Sequence, residues 1–396
     1  MTKGLTFICL GNEHWECDNP SPLIEIMHEL SRDNTVLYVE NQYSISDIFD
    51  SIKGKKEVPV RKMLNLDKRL RVQQSRTGSS VYILTPPPVL PLNKIKDKEI
   101  YKKLLVFNAR ILETELRKSI HFLNLSDIIF ISGSNPDYGL ALMKKFNDSL
   151  NLYYTFESTD EEEPHEHTLF EKEYIEATDV VITNTEVLYN KIRCFKDATF
   201  LIRNGVRFED LYKRSMSIQK SESITIGSIG IIDKDFDIAT ATYLLENLKD
   251  INFVFSGKVL DSTILKKLEM YSNFSHIGIR KRDEFADLLS GFDIGIILNK
   301  GDSHPPLEVG LNEYLSAGKS VIAFNYNFIK DYKDVVRFCS SKEEMLKSIK
   351  EELILDSKEK KEKRYERARG NSWERKAEIF QTIVKDYIDK KLYSKA

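Results

Sequence analysis

Cysteine is scarce in this sequence, and the scarcity excludes a fold built on disulfides. Only Cys9, Cys17, Cys194 and Cys339 occur in 396 residues. The close pair, Cys9 and Cys17, has a spacing that matches no zinc-binding pattern. Free thiols are typical of a reducing compartment, so the sequence predicts a cytoplasmic protein.

Long hydrophobic runs are missing as well. No stretch approaches the roughly 20 apolar residues that a membrane-spanning helix needs. The first apolar run, Leu5–Leu10, is too short for the core of a signal peptide and predicts a buried strand instead. We therefore expect any contact with a membrane to be peripheral, at its inner face.

Charge is nearly balanced overall but unevenly distributed. The net charge is −2, yet residues 51–118 carry 17 Lys and Arg against 6 Asp and Glu, and residues 157–179 carry 10 Asp and Glu against one Lys. A basic stretch with interspersed apolar residues favours an anionic membrane surface or a phosphate-bearing acceptor. A solvated surface of helices and loops is the alternative. No helix-turn-helix, zinc or base-stacking motif accompanies the stretch, so we predict no nucleic-acid partner.

Short apolar runs alternate with amphipathic stretches along the whole chain. This pattern predicts βαβ units and parallel sheets. A second series of strands and helices begins after residues 206–222, and 396 residues exceed what one hydrophobic core usually serves. The sequence therefore predicts two α/β domains.

The individual elements are predicted with uneven clarity. A long helix is predicted over residues 97–123, whereas residues 44–80 show no clear pattern. The apolar residues expected to face the core from the long helix are Leu104, Leu105, Phe107, Ile111, Leu112 and Leu116. A last helix, from about residue 373, presents apolar residues at helical spacing.

One junction between a strand and a helix, in the second half, carries the clearest chemistry. The strand Ile294–Leu298 leads into a loop, and a helix follows that ends at Gly318. In open α/β sheets, ligands bind beyond the carboxyl ends of strands, where helix N-termini attract diphosphates. Glu313, inside this helix, is placed to accept hydrogen bonds from the paired hydroxyls of a ribose. A surface glutamate is the alternative interpretation.

The sequence around Glu313 resembles a known family. Glu313-Tyr314-Leu315-Ser316-Ala317-Gly318-Lys319 resembles the nucleotide-sugar motif of GT-B glycosyltransferases of family 4. Similar pieces follow in the family's order at residues 177–185, 201–206, 224–236 and 290–294, and residues 15–40 are similar to teichuronic-acid-type glycosyltransferases. The resemblance implies two Rossmann-like domains that face a central cleft, with the C-terminal helix crossing back to the first. It places an acceptor-binding domain at 1–205 with 373–396, and a nucleotide-sugar-binding domain at 206–372.

The same resemblance implies the donor site. It assigns the ribose to Glu313 and the diphosphate to Lys234, with Lys258 as the alternative. The family's other glutamate, which meets the donor sugar, falls at Pro305 here. The residues expected to replace that glutamate are Asp302, His304 and Glu308. The remaining expected donor contacts are Ser228, Gly230, Leu307, Ile279 and Arg280.

The loop Gly11–Asp18 follows the first strand and is expected to face the acceptor. His14 and Asp18 are its candidate catalytic residues, together with Lys234 at the leaving diphosphate. The resemblance favours retention of configuration, which needs no dedicated base, while an inverting reaction would need one. Asp233 and Asp235 have the spacing of an Asp-x-Asp metal motif but flank Lys234, so we expect no metal and no cofactor.

The resemblance implies a glycosyltransferase that moves a sugar from a UDP- or GDP-sugar to a glycan or lipid-linked acceptor in bacterial surface polysaccharide synthesis. A catalytically weak, nucleotide-binding scaffold of a glycan-assembly complex is the alternative, and Pro305 favours it. A sugar-nucleotide epimerase would need a cluster of acid and base residues whose signature the sequence does not show.

Overall fold

A computed structural model of the chain describes residues 4–93, 95–146, 149–156, 170–217, 223–298, 306–324 and 331–393. Of residues 282, 283, 306–309 and 392 it describes the backbone only. Across these ranges, every helix is too short or too polar to cross a membrane. The chain divides into two compact units: Met1–Arg203 with Lys376–Ala396 is unit 1, and Asn204–Arg375 is unit 2.

The described residues of unit 1 form an eight-stranded sheet in the order β3-β4-β2-β1-β5-β6-β7-β8. Its strands are β1 (Thr6–Leu10), β2 (Thr35–Val39), β3 (Leu70–Gln74), β4 (Ser80–Leu84), β5 (Ile128–Gly133), β6 (Leu150–Thr155), β7 (Val180–Thr183) and β8 (Thr199–Leu201). Its helices are α1 (Pro22–Leu30), α2 (Ile45–Ile52), α3 (Val60–Met63), α4 (Lys98–Phe122), α5 (Pro136–Leu142), α6 (Glu171–Ala177) and α7 (Glu186–Arg193).

The sheet of unit 1 is parallel except at one edge. Strand β1 is buried along its whole length, because helices cover both faces of a parallel sheet and favour continuous apolar runs. Strand β3 pairs antiparallel with β4 at the edge, which the prediction of purely parallel sheets did not include. Strand order reverses between β1 and β5, so the loops that follow these strands diverge and leave a crevice.

The described residues of unit 2 form a six-stranded sheet in the order β11-β10-β9-β12-β13-β14. Its strands, all parallel, are β9 (Thr225–Ile229), β10 (Asn252–Ser256), β11 (Phe274–His276), β12 (Ile294–Ile297), β13 (Ser320–Phe324) and β14 (Val336–Cys339). Its helices are α8 (Phe208–Ser217), α9 (Ile238–Asn247), α10 (Ser262–Leu268), α11 (Arg282–Ser290), α12 (Pro306–Ser316), α13 (Lys342–Leu355) and α14 (Lys358–Gly370). In chain order this is the 3-2-1-4-5-6 arrangement of dinucleotide-binding folds.

The last helix, α15 (Trp373–Tyr393), takes part in both units. Trp373 is buried in unit 2, where a Cβ added at Gly205 would lie 2.8 Å from its ring. Further along, Phe380 is fully buried in unit 1, with ring centroids 6.2 Å from Phe7 and 6.4 Å from Tyr154. Each unit therefore includes part of this helix in its own core.

Helix α4 confirms the predicted long helix but corrects its buried face. Leu105, Leu112 and Leu116 are buried as expected, whereas Phe107 is 50% exposed. Steps of seven and four residues keep the three leucines on one stripe of the helix, while Phe107, two residues after Leu105, turns away from it. Residues 44–80, which show no clear sequence pattern, contain α2, α3 and β3.

Candidate functional site

Three loops of unit 2 are joined by backbone hydrogen bonds at the carboxyl edge of the sheet. They follow β9, β10 and β11 and comprise residues 230–235, 257–261 and 277–281, which we call the loop rim. The N–H of Gly230 donates to the carbonyl of Ser256 (3.0 Å), and the N–H of Gly257 donates to that of Gly278 (3.0 Å). Gly257 has φ +148°, and a Cβ there would lie 1.6 Å from the carbonyl oxygen of Gly230. The close approach of the first two loops therefore requires glycine.

The loop rim contains five of the donor residues that the sequence predicts. Gly230, Lys234, Lys258, Ile279 and Arg280 all follow the ends of neighbouring parallel strands. The Lys234 side chain is exposed and Lys258 is half-buried. Arg280 lies 3.5 Å from the carboxylate of Glu284.

Ser228 differs from its predicted place in the turn. It is buried within β9, opposite Phe255 of β10, so its side chain lies within the sheet and not in the turn. The strand continues to Ile229, and the chain turns only at Gly230, where a glycine tolerates the positive φ of 154°.

Asp233 and Asp235, whose spacing resembles a metal motif, lie in the loop after β9. The N–H of Asp235 donates to a carboxylate oxygen of Asp233 at 2.9 Å, so this carboxylate stabilises the turn. Across the described residues, no cluster of three or more His, Cys, Asp or Glu side chains has an arrangement suited to a metal ion.

Helix α12 shows which residues of the family-like motif serve packing. Tyr314 is buried against Gly295, where an added Cβ would lie 2.6 Å from the tyrosine ring, and its hydroxyl donates to the carbonyl of Gly227 (3.3 Å). Leu315 and Ala317 are buried too. Gly318 has φ +68°, as expected of a residue that ends a helix. These residues fix the helix, and the half-buried Glu313 lies between Asn312 and Tyr314 on it.

Glu313 lines a cavity of about 350 Å³ within unit 2. The rest of the lining comes from the chain before α8, from α8 and α11, and from the start of α15. It consists of Gly205, Val206, Arg207, Asp210, Leu211, Arg214, Phe285, Ala286, Asp287 and Trp373. Arg214 forms an ion pair with Asp287 in this wall, and the hydrogen bond from its guanidinium lowers the pKa of that carboxyl. The cavity thus combines aromatic walls with both signs of charge.

The cavity lining and the loop rim have no residue in common. Of the predicted donor residues whose side chains are described, Glu313 alone is in the cavity lining. Leu307 and Glu308 lie in the first turn of α12, with only their backbone described. Asp302 and His304 lie outside the described residues. Sequence reasoning missed Arg207 and Trp373, which come from the two ends of unit 2.

In unit 1, the loop Gly11–Asp18, which we call the β1 loop, follows β1 next to the strand-order reversal. Trp15 is buried, with its ring 5.2 Å from that of Tyr38 and 4.3 Å from that of His28. A Cβ added at Gly11 would lie 2.0 Å from the Tyr38 hydroxyl, so only glycine fits beneath this ring. The packing of Trp15 and Gly11 against these rings therefore holds the loop in place.

His14, in the β1 loop, has a partner at each ring nitrogen. Its Nδ1 lies 3.5 Å from a carboxylate oxygen of Glu40, and its Nε2 lies 2.8 Å from the hydroxyl of Tyr43. An ionised carboxylate only accepts hydrogen bonds, so Nδ1 carries the proton and Nε2 is left to accept from Tyr43. The side chain remains 35% exposed. An imidazole oriented in this way can bind a hydroxyl group, or remove its proton, only when that hydroxyl takes the place of Tyr43 at Nε2.

Glu40 is the buried centre of this arrangement. It accepts hydrogen bonds from Arg71 (2.8 Å), Thr85 (2.6 Å) and the N–H of Trp15 (3.3 Å). Burial by itself raises the pKa of this carboxyl, but the hydrogen bonds from His14, Arg71 and Thr85 outweigh it and hold the pKa well below its usual range. Glu40 is therefore ionised at neutral pH.

The structure brings His14 together with Glu40, Tyr43 and Arg71, which sequence reasoning missed. One signal was available: Glu40 directly follows a buried strand, at the edge where functional residues gather. Asp18, the other predicted residue of the β1 loop, is exposed at its end.

Comparison with solved structures identifies this architecture. A glycosyltransferase of Rickettsia africae is similar with a TM-score of 0.61 and 14% identity over 97% of this chain and 99% of that one. Sucrose-phosphate synthase of Thermosynechococcus elongatus gives 0.60 and 12%, over 99% and 100%. The starch synthase IV catalytic domain of Arabidopsis thaliana, bound to ADP and acarbose, gives 0.58 and 10%, over 98% and 100%. The chain has the GT-B fold.

The GT-B fold confirms the predicted fold class, with its two parallel-sheet domains. No protein-family model and no curated protein matches the sequence. At such low identities the structural likeness establishes the fold alone, so the activity of this GT-B protein has to be argued from its own residues.

Proposed function

We propose that this GT-B protein transfers a sugar from a UDP- or GDP-sugar to a glycan or lipid-linked acceptor in the synthesis of a bacterial surface polysaccharide. The observation that carries the proposal is the position of Glu313. Its half-buried carboxylate lines a cavity of about 350 Å³, on a helix whose sequence resembles the nucleotide-sugar motif of family 4. A cavity of this volume lies within the usual range for small-molecule sites.

In the proposed donor site, Glu313 accepts hydrogen bonds from the two ribose hydroxyls. Lys234 binds the diphosphate, with Lys258 as the alternative, and the N–H groups at Leu307 add the positive end of the helix dipole. Ile279 and Arg280 contact the base. The donor sugar contacts come from Asp302, His304 or Glu308.

Unit 1 is proposed to bind the acceptor at the β1 loop, through His14 and Asp18. We propose a retaining reaction, in which the leaving diphosphate assists the acceptor hydroxyl and His14 positions it. An inverting reaction would instead use His14 as the general base, with Glu40 holding its tautomer. The reaction is proposed to need no metal, because lysine and helix-terminal N–H groups supply the positive charge at the diphosphate.

Thermal unfolding with a panel of nucleoside diphosphates tests the donor site. A ligand at about 100 times its dissociation constant stabilises the folded state by roughly 2.7 kcal/mol. We expect UDP or GDP to stabilise the wild type selectively and Glu313→Ala to lose this response. Glu362→Ala, on the exposed face of α14, is the matched control and should respond as the wild type does. An equal response of Glu313→Ala, or no response to any nucleotide, would contradict the proposal.

A catalytically weak scaffold is the second candidate, because Pro305 stands where the family has the glutamate that meets the donor sugar. Release of nucleoside diphosphate from a panel of UDP- and GDP-sugars separates the two. An enzyme turns over its donor, whereas a scaffold binds it without turnover. Loss of turnover in a chelator, with recovery on adding manganese, would contradict the proposed independence from metal.

A further inference from the structure

Helix α2 exposes an apolar face. Ile45, Phe49 and Ile52, spaced four and three residues apart, are 41%, 59% and 73% exposed. Ile48 lies on the same side and is half-buried, and no residue of α2 is buried. A surface helix normally packs such a stripe against its own core. The face is therefore available for a partner outside the chain.

Exposed lysines follow this face at the C-terminal end of the helix. Lys53 and Lys55 directly follow α2 and are exposed. Lys56 donates to Asp47 at 2.7 Å, which neutralises one of the two acidic residues on the polar side of the helix. The end of α2 thus carries positive charge beside its apolar side chains.

A second basic and apolar segment lies at the same edge of the sheet. Strands β2 and β4 are parallel neighbours, so α2 and the chain that leads into α4 both leave from their carboxyl ends. The N–H of Ile45 donates to the carbonyl of Val89 (2.9 Å), which joins the two segments. The first turns of α4 expose Ile100, Lys102 and Lys103. Exposed basic and apolar side chains therefore occur at the start of α4 as well as on α2, together with the exposed Asp97 and Glu99.

We infer that this edge of unit 1, which we call the α2 surface, docks on an anionic phospholipid bilayer. The side chains of Ile45, Phe49 and Ile52 enter the interface, and the lysines contact the headgroups. Protein interfaces are depleted of lysine at their cores, whereas helices that lie in the plane of a membrane combine Phe, Ile or Leu with many lysines. The inference rests on the proposed function, since a lipid-linked acceptor requires the enzyme at a membrane.

Co-sedimentation of the full chain with vesicles tests the apolar face. We expect binding to mixed phosphatidylcholine–phosphatidylglycerol vesicles and little binding to phosphatidylcholine alone. Phe49→Ser combined with Ile52→Ser should weaken binding by about tenfold or more, given the apolar area withdrawn from the interface. Ile354→Ser combined with Leu355→Ser, two exposed residues at the end of α13, is the matched control and should bind as the wild type does.

The charges are tested separately. Lys53→Glu with Lys55→Glu should reduce vesicle binding by at least about tenfold, since each lysine near an anionic surface contributes roughly fivefold. Lys249→Glu with Lys358→Glu makes the same change of net charge on exposed residues of unit 2 and should leave binding intact. Added salt should weaken wild-type binding, because the attraction is screened.

Three results would overturn the inference. The first is equal binding of wild type and α2 variants to the mixed vesicles, and the second is no binding by any of them. The third is wild-type self-association that the Phe49→Ser, Ile52→Ser variant abolishes, which would make the face an interface between copies of the chain. Nucleotide stabilisation is measured on the same variants without vesicles. If nucleotide stabilisation persists while the vesicle results contradict the inference, the proposed docking surface is wrong and the proposed donor site is unaffected.

Discussion

Glu13 and Glu40 show how neighbours decide the charge of a buried carboxyl. Glu40 meets the guanidinium of Arg71, and its pKa is held low. Among the described residues, Glu13 accepts from neutral groups, including the N–H of Ser21 (3.2 Å) and the thiol of Cys17 (3.3 Å), and burial raises its pKa. The two carboxyls, Glu13 within the β1 loop and Glu40 at the end of β2, therefore contribute to stability with opposite pH dependence.

Glu40→Gln is expected to lower the free energy of unfolding by about 2–3 kcal/mol at neutral pH, because Arg71 loses its charged partner. The folded pKa of Glu40 is depressed, so its contribution is fully present above the unfolded value of roughly 4.3 and is lost as pH falls through the folded pKa. The difference between wild type and variant should therefore shrink on acidification, as measured by urea unfolding across a pH series.

Glu13→Gln is the control for that series. The raised pKa of Glu13 means that its contribution is present below the unfolded pKa and is lost as pH rises through the folded one. Here the free energy of unfolding of wild type relative to the variant should fall as the pH rises toward neutral. If both variants show the same pH trend, the opposite electrostatics assigned to the two carboxyls are wrong.

At the residue scale, the sequence predicts His14 and Glu313 as site residues but does not predict most of their neighbours in the structure. His14 was predicted because it follows the first strand. Its partner Glu40 is orientated by Arg71, which is 31 residues further along the chain and lies on a strand whose sequence shows no clear pattern. Such a contact depends on sheet register, which single-residue patterns do not reveal.

The loop rim is an arrangement of elements, and its geometry depends on Gly257. The close contact with the carbonyl of Gly230 and the positive φ both oppose a side chain. Gly257→Ala is expected to lower the free energy of unfolding by about 2–4 kcal/mol, from backbone strain and the displaced loop. Gly370→Ala, where an added Cβ meets no atom within 4 Å, should change it by less than about 1 kcal/mol. Equal stability of the two variants in urea unfolding would refute this account.

Elements with strong local signals were predicted, and those defined by tertiary contacts were not. The apolar run of β1 and the length of α4 are visible in the sequence. Strand β3, which has alternating exposure at a sheet edge, is not predicted by the sequence, and neither is α2, whose apolar face is largely exposed in the described part of the chain. The exposed Phe107 was assigned to the core because its residue type outweighed its position on the helix.

At the scale of the whole molecule, two parallel sheets were predictable because the series of strands and helices starts twice. Assignment of the acceptor to the first unit and of the nucleotide sugar to the second remains a proposal. Only the family resemblance predicts that α15 crosses from one unit to the other. The spacing of its apolar residues predicts a buried face but does not identify what that face packs against.

Phe380→Ala is expected to destabilise unit 1 selectively. The side chain is fully buried beside Phe7 and Tyr154, and a cavity of this kind costs about 3–5 kcal/mol. Hydrogen exchange should accelerate in β1 and β6, while β9 and β12 of unit 2 keep their protection. Equal acceleration in both sheets would contradict the assignment of this part of α15 to unit 1.

Unit 1 consists of two separate stretches of the chain, and this affects how it folds during synthesis. Synthesis proceeds from the N-terminus, and domains usually fold as they emerge. Unit 2 is complete when residue 375 leaves the ribosome, but unit 1 then still lacks residues 376–396. Until Phe380 arrives, the aromatic side chains of β1 and β6 lack the ring that buries them. The half of the protein that is translated first is therefore the half that finishes folding last, and its unprotected core is the part for which a nascent-chain chaperone would have the greatest use.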